Sequence, residues 1–152
     1  MAGAKIGYDE VQPAPFQGSG TSVLSDTGSW VSPEVIVGVA TGVNLNAVAA
    51  TALATIAIPT GFSGFVPTRV IRYKDSIAAT TASISFGQTA TPTDFAATAT
   101  NANATAAKSQ IITATAALQP FYTAGSGFVV NVTIAQGAGA TANFALCGYY
   151  VV

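Results

Sequence analysis

The chain has 152 residues, half of them hydrophobic and only 7% charged, with a net charge of −1. That length suits one domain with a proper core, and so balanced a charge excludes nucleic-acid or acidic-membrane binding by bulk electrostatics. The absence of histidine excludes imidazole-based triads and His-containing zinc sites, and the single Cys147 excludes an intrachain disulfide.

Residues 1–33 read as an extended N-terminal arm and residues 34–152 as the globular domain. Met1 to Pro15 has no apolar h-region of a secretory signal. The arm holds Pro13, Pro15, Gly18 and Gly20, and neither a helical nor a strand period runs through it. Its scattered apolar residues Ile6, Tyr8, Val11 and Phe16 are candidate anchors for docking onto a neighbour. The competing reading packs the arm along its own domain. Ser32-Pro33 favours extended backbone and marks the boundary.

Val35 to Thr68 carries no charge and exceeds the length that spans a bilayer. It reads as strands instead, because Thr, Val, Gly42, Asn44, Asn46, Pro59, Gly61 and Gly64 would leave a helix poorly supported in lipid. Val35 to Ala40 is the first strand. Thr51 to Ile58 is a strand by its Thr content or a short helix by its Ala content.

Thr68 to Lys74 is a strand in which Arg69, Ile71 and Tyr73 share one face and Val70, Arg72 and Lys74 the other. With Asp75 it gathers four of the eleven charged residues. Arg69, Arg72 and Lys74 guard an edge strand against unwanted pairing or make ion pairs between subunits. Ala82 to Phe86 alternates cleanly, and a hairpin across Ser76 to Thr81 is expected to join it to the preceding strand.

Gly87 to Lys108 reads as a long loop or weak edge strand, with Asp94 in position to cap a brief helical turn. Ser109 to Thr115 and Leu118 to Tyr122 are further strand candidates. The ending FVVNVTIAQGAGATANFALCGYYVV predicts a hairpin about Ala138, with Val132 opposite Phe144, Val130 opposite Leu146 and Phe128 opposite Gly148. Beyond Cys147 both faces of the last strand are apolar. Tyr149 and Val151 on the second face point to a neighbouring subunit, or to burial under the chain's own loops. Seven or eight short strands separated by turn signals predict an all-β antiparallel sandwich or jelly roll behind the arm.

Catalytic chemistry finds little support. Cys147 lies mid-strand without a His partner and reads as a small buried thiol. The six carboxylates, Asp9, Glu10, Asp26, Glu34, Asp75 and Asp94, show no spacing that makes two converge. The Gly-x-Gly stretches open no helix and precede no P-loop lysine. The expectation is a protein without enzymatic activity, cofactor or metal.

The texture TASISFGQTAT, the FVVNVTIAQGAGATANFALCGYYV ending and the extended arm resemble structural proteins of tailed bacteriophages, namely capsid decoration (cement) and head- or tail-fibre proteins. The resemblance implies homotrimers and attachment by the arm to the major capsid protein or other virion proteins. It also implies a place on the virion surface after synthesis in the bacterial host cytoplasm. So charge-poor a surface agrees with a chain covered by other copies of itself. The alternative is a fibre or receptor-binding module that contacts host glycan through Trp30, Tyr73, Tyr122 or Tyr149. A tail-spike hydrolase, the third option, is disfavoured by the missing His and the sparse carboxylates.

Overall fold

In the computed structural model the described residues are 34–77, 81–100, 109–115, 120–137 and 139–152, with the backbone of two short strands at 23–24 and 30–31. These residues form strands and connections, with no helix among them. In chain order the strands are β1 (Val23–Leu24), β2 (Trp30–Val31), β3 (Val35–Asn44), β4 (Ala49–Thr55), β5 (Gly64–Tyr73), β6 (Ser83–Gln88), β7 (Thr91–Thr100), β8 (Gln110–Thr113), β9 (Gly127–Ile134) and β10 (Thr141–Val151). Every pairing is antiparallel.

Two sheets face each other. The first has the core order β3-β10-β5-β8, and β2, with β1 outside it, extends it by pairing Val31 with Val151. The second runs β4-β9-β6-β7. Inward residues alternate with outward ones along each strand, as the period of two requires. Between the sheets lie Val70, Phe144 and Leu146 from the first and Leu53, Ile84, Phe86, Phe95, Phe128, Val130 and Val132 from the second, all buried. Rings tie the layers: Phe86 and Phe144 meet across the core at 5.6 Å, and Phe128 takes Phe95 and Tyr122 edge-on, each at 5.8 Å.

The open flanks of the sandwich are closed. On one side β3 presses against β4, and Gly38 makes this contact possible: a Cβ there would lie 2.4 Å from the Leu53 carbonyl oxygen. On the other, the Thr115 amide donates to the Phe95 carbonyl at 3.0 Å, and the Ala97 amide donates to Thr115 Oγ1 at 2.9 Å. These two hydrogen bonds satisfy groups on the edge strand β7 that would otherwise template aggregation.

The all-β antiparallel sandwich agrees with the expectation from sequence, and Val35 to Thr68 does fold as strands. Thr51 lies in a strand, not a helix. The two expected hairpins are corrected. β9 and β10 do not pair; they lie in opposite sheets, so Val130 and Val132 meet Phe144 and Leu146 through the core and not along a ladder. The connection between them is tied elsewhere: the Gln136 amide donates to the Leu45 carbonyl at 2.7 Å, and the Leu45 amide to the Ala140 carbonyl at 2.9 Å. β5 and β6 likewise belong to different sheets.

Three smaller readings are resolved. Within Gly87 to Lys108 the edge-strand alternative holds at β7, a ten-residue edge strand held to the core by the fully buried Phe95. Asp94 caps no helix; its Oδ1 accepts from the Gln88 amide and the Tyr122 hydroxyl, each at 2.9 Å. Of the segment ending at Tyr122, the described part makes a single bridge, with Phe65.

Candidate functional site

The feature that stands out is the outer face of the first sheet. Leu146, Val70 and Ile112 point into the core, so their neighbours Ala145, Ile71 and Ile111 point out. The ladder aligns these outward residues. Val39 on β3 pairs with Ala145 on β10, Ala145 with Ile71 on β5, and Ile71 with Ile111 on β8. One apolar row therefore crosses four strands. One rung further along β10, Ile36, Cys147 and Arg69 align in the same way, and Thr113 extends them.

The flanks of this face meet solvent and its centre does not. Ile36, Val39 and Ile111 are 62%, 51% and 60% exposed, whereas Ala145 and Cys147 are buried. The small Ala145 and Cys147 form the floor of a shallow trough that runs along β10. Ile36 and Val39 wall it on one side, Arg69 and Ile71 on the other. Tyr149 and Val151, further down β10, are half-buried.

The charge cluster does not guard a sheet edge, which corrects that sequence reading. β5 is flanked by β10 and β8, so it is an interior strand with no free edge to guard. Arg69 is ion-paired with Glu34, whose carboxylate also accepts from Thr68 Oγ1. Arg72 faces inward and is fully buried with Asp75, the Nε donating to Asp75 Oδ1 at 3.1 Å. As a surface contact Arg72 is therefore corrected: its guanidinium is spent inside the sandwich. Lys74 is exposed and adopts a left-handed backbone with φ of 52°. Ile6, Tyr8, Val11 and Phe16 lie outside the described residues.

The three described carboxylates all have structural partners: Glu34 with Arg69, Asp75 with Arg72, and Asp94 with Gln88 and Tyr122. Among the described residues no group of three or more His, Cys, Asp and Glu could hold a metal. Tyr122 is fully buried, which removes it from the surface aromatics available to a glycan. Burial pushes its phenol well above the usual range, and the hydrogen bond and negative charge of Asp94 push the same way. Tyr73 remains half-buried at the rim of the outer face, opposite Asn143.

Ile36, Val39 and Ile111 were not singled out from the sequence. The available signal was the absence of polar alternation in VIVGVA and the doublet Ile111-Ile112, each of which makes both faces of a strand apolar.

No family model matches the chain, and no curated protein matches it. Among solved structures, a chain of the cyanophage Pam1 capsid asymmetric unit aligns with 99% of this chain over 99% of its own length, at 19% identity and a TM-score of 0.49.

Proposed function

We propose that this chain is a non-enzymatic virion structural protein. In this reading it is a capsid decoration or cement subunit that acts as a homo-oligomer, three copies favoured over two, and binds the major capsid protein or other virion proteins. The observation that carries this reading is the apolar row Val39, Ala145, Ile71 and Ile111 on the outside of the first sheet. Full burial of a Val or Ile side chain is worth about 1.5–3 kcal/mol, and the exposed members of this row leave much of that unrealised in a lone subunit. With 7% of residues charged, little opposes covering this surface with another part of the assembly.

The strand order supports a finer description of the fold. From β3 to β10 every connection crosses between the sheets except β6 to β7, giving β3-β10-β5-β8 opposite β4-β9-β6-β7. Such winding is that of a jelly roll, an arrangement shared by viral capsid and lectin domains, so it speaks to architecture and leaves function to the surface. Residues 1–33 serve as an arm that ties neighbouring subunits together. Acting at many boundaries, these contacts add small increments of stability to a shell.

Sedimentation equilibrium at micromolar concentration tests the reading. The expected mass is three times the 15.1 kDa of one chain, and a stable, soluble monomer overturns it. Co-sedimentation with shells of the major capsid protein from the same genome tests decoration, and an oligomer that ignores those shells would remove the cement role. Binding on a glycan array would move the assignment to a fibre module.

A further inference from the structure

We infer that the trough on the outer face of the first sheet is the seat for residues 1–22 of a second copy of this chain, an assignment that rests on the homo-oligomeric reading above. The size of the trough argues for a segment over a whole subunit. Four strands at about 4.8 Å spacing make a face roughly 14 Å across, a few hundred Å² in all. A stable interface takes about 800 Å² from each partner, so two copies packed face to face would not be held by this patch alone.

The path of the chain supports the choice of segment. β1 pairs antiparallel with β2, and β2 with β10, so β1 runs parallel to β10 at the outermost edge of the sheet. β1 therefore lies in the plane of the sheet at its outer edge, on the same side of β10 as β3, the strand that carries Ile36 and Val39. Twenty-two residues reach up to about 75 Å when extended, enough to cross a subunit boundary.

The chemistry is complementary. Ile6 and Tyr8 fall on one face of an extended chain, and Val11 and Phe16 supply further apolar bulk. Their apolar partners would be Ile36, Val39 and Ile111, the exposed side chains of this face. Asp9 and Glu10, the only acidic residues of the segment, have a counterpart in the exposed Lys74 at the end of β5.

Photo-cross-linking in the full chain tests the seat. Benzoylphenylalanine replaces Tyr8 or Phe16 in equal mixtures of isotopically light and heavy protein. The expected product joins a light to a heavy chain through peptides that contain Val39 or Ile71. Ile71→Glu should lower its yield at least tenfold, and so should Val39→Glu on the more exposed edge strand, which serves if the first variant fails to fold. Cross-links confined to one chain, cross-links elsewhere, or no cross-links overturn the seat. Sedimentation of the same samples separates the two ideas: an oligomer without these cross-links overturns only the seat, and a monomer overturns the oligomeric reading as well.

Discussion

Arg72 and Asp75 form an ion pair with both side chains fully excluded from solvent, three residues apart where β5 leaves the first sheet. Lys74, between them, takes a left-handed backbone that helps turn Asp75 back toward the strand. Burying either charge alone would be costly, and the geometry is favourable only because each supplies what the other lacks. Asp75→Ala should therefore lose about 3–5 kcal/mol, since it strands the guanidinium in the core. The double variant Arg72→Met with Asp75→Ala should recover a large part of that loss. Urea denaturation of the two single variants, the double variant and the parent checks this, and strictly additive losses would show that the pair is not coupled.

Gly38 sets how closely the two sheets meet at the β3–β4 flank. An added Cβ would lie 2.4 Å from the Leu53 carbonyl oxygen and 2.6 Å from the Ala54 Cβ, and neither neighbour is a flexible tip that can swing away. Gly38→Ala should cost about 1–3 kcal/mol, the range for overpacking, and Gly38→Val more. Thermal denaturation reads the outcome, and an unchanged melting temperature would mean that this flank opens at little cost.

Phe144 spans the core from β10 to reach Phe86 on β6. Truncation to Ala should destabilise by about 3–5 kcal/mol. A double-mutant cycle with Phe86→Leu and Phe144→Leu should return a coupling of about 0.5–1.5 kcal/mol, as expected for contacting rings. A coupling near zero would place the rings apart and contradict the sandwich described above.

The class of fold was legible because alternation is a local signal. Phe128, Val130, Val132, Phe144 and Leu146 are all buried, as their period of two predicted. Which strands pair was not legible. The inward residues of two strands that face each other across a core follow the same pattern as those of two strands in a hairpin, so Val132 and Phe144 satisfied both arrangements. What separates them is the long-range tie of the loop between β9 and β10 to Leu45, contacts that no short-range pattern encodes. Arg72 misled for a similar reason. A charged side chain on an alternating strand reads as surface, and only its meeting with Asp75 inside the fold lets it be buried. The outer trough was half legible: the apolar second face of Cys147 to Val151 was visible, but its walls come from β3 and β5, brought alongside only by the topology.

Tyr122 supplies a prediction about alkaline pH. Its hydroxyl donates to Asp94 at 2.9 Å, while its backbone exchanges two hydrogen bonds with Phe65, each 2.9 Å long. Burial, then the hydrogen bond and charge of Asp94, raise its pKa above the unfolded value of about 10. The sign follows from proton linkage. Below pH 10 the phenol is protonated in both states, and its stabilising contribution is fully present. Above pH 10 the unfolded chain releases the proton while the folded chain retains it, so the unfolded state is favoured increasingly as pH rises. Tyr122→Phe removes the titrating group together with one hydrogen bond to a carboxylate, a loss of about 1.5–3 kcal/mol at neutral pH. Tyr150, also raised by burial, is common to both proteins and cancels in the comparison. Melting temperatures of the two proteins should thus differ most at pH 7–9 and converge between pH 10 and 12. A gap that stays constant across that range would mean that Tyr122 ionises as readily in the folded protein as in the unfolded chain, and the hydrogen bond to Asp94 would have to be abandoned.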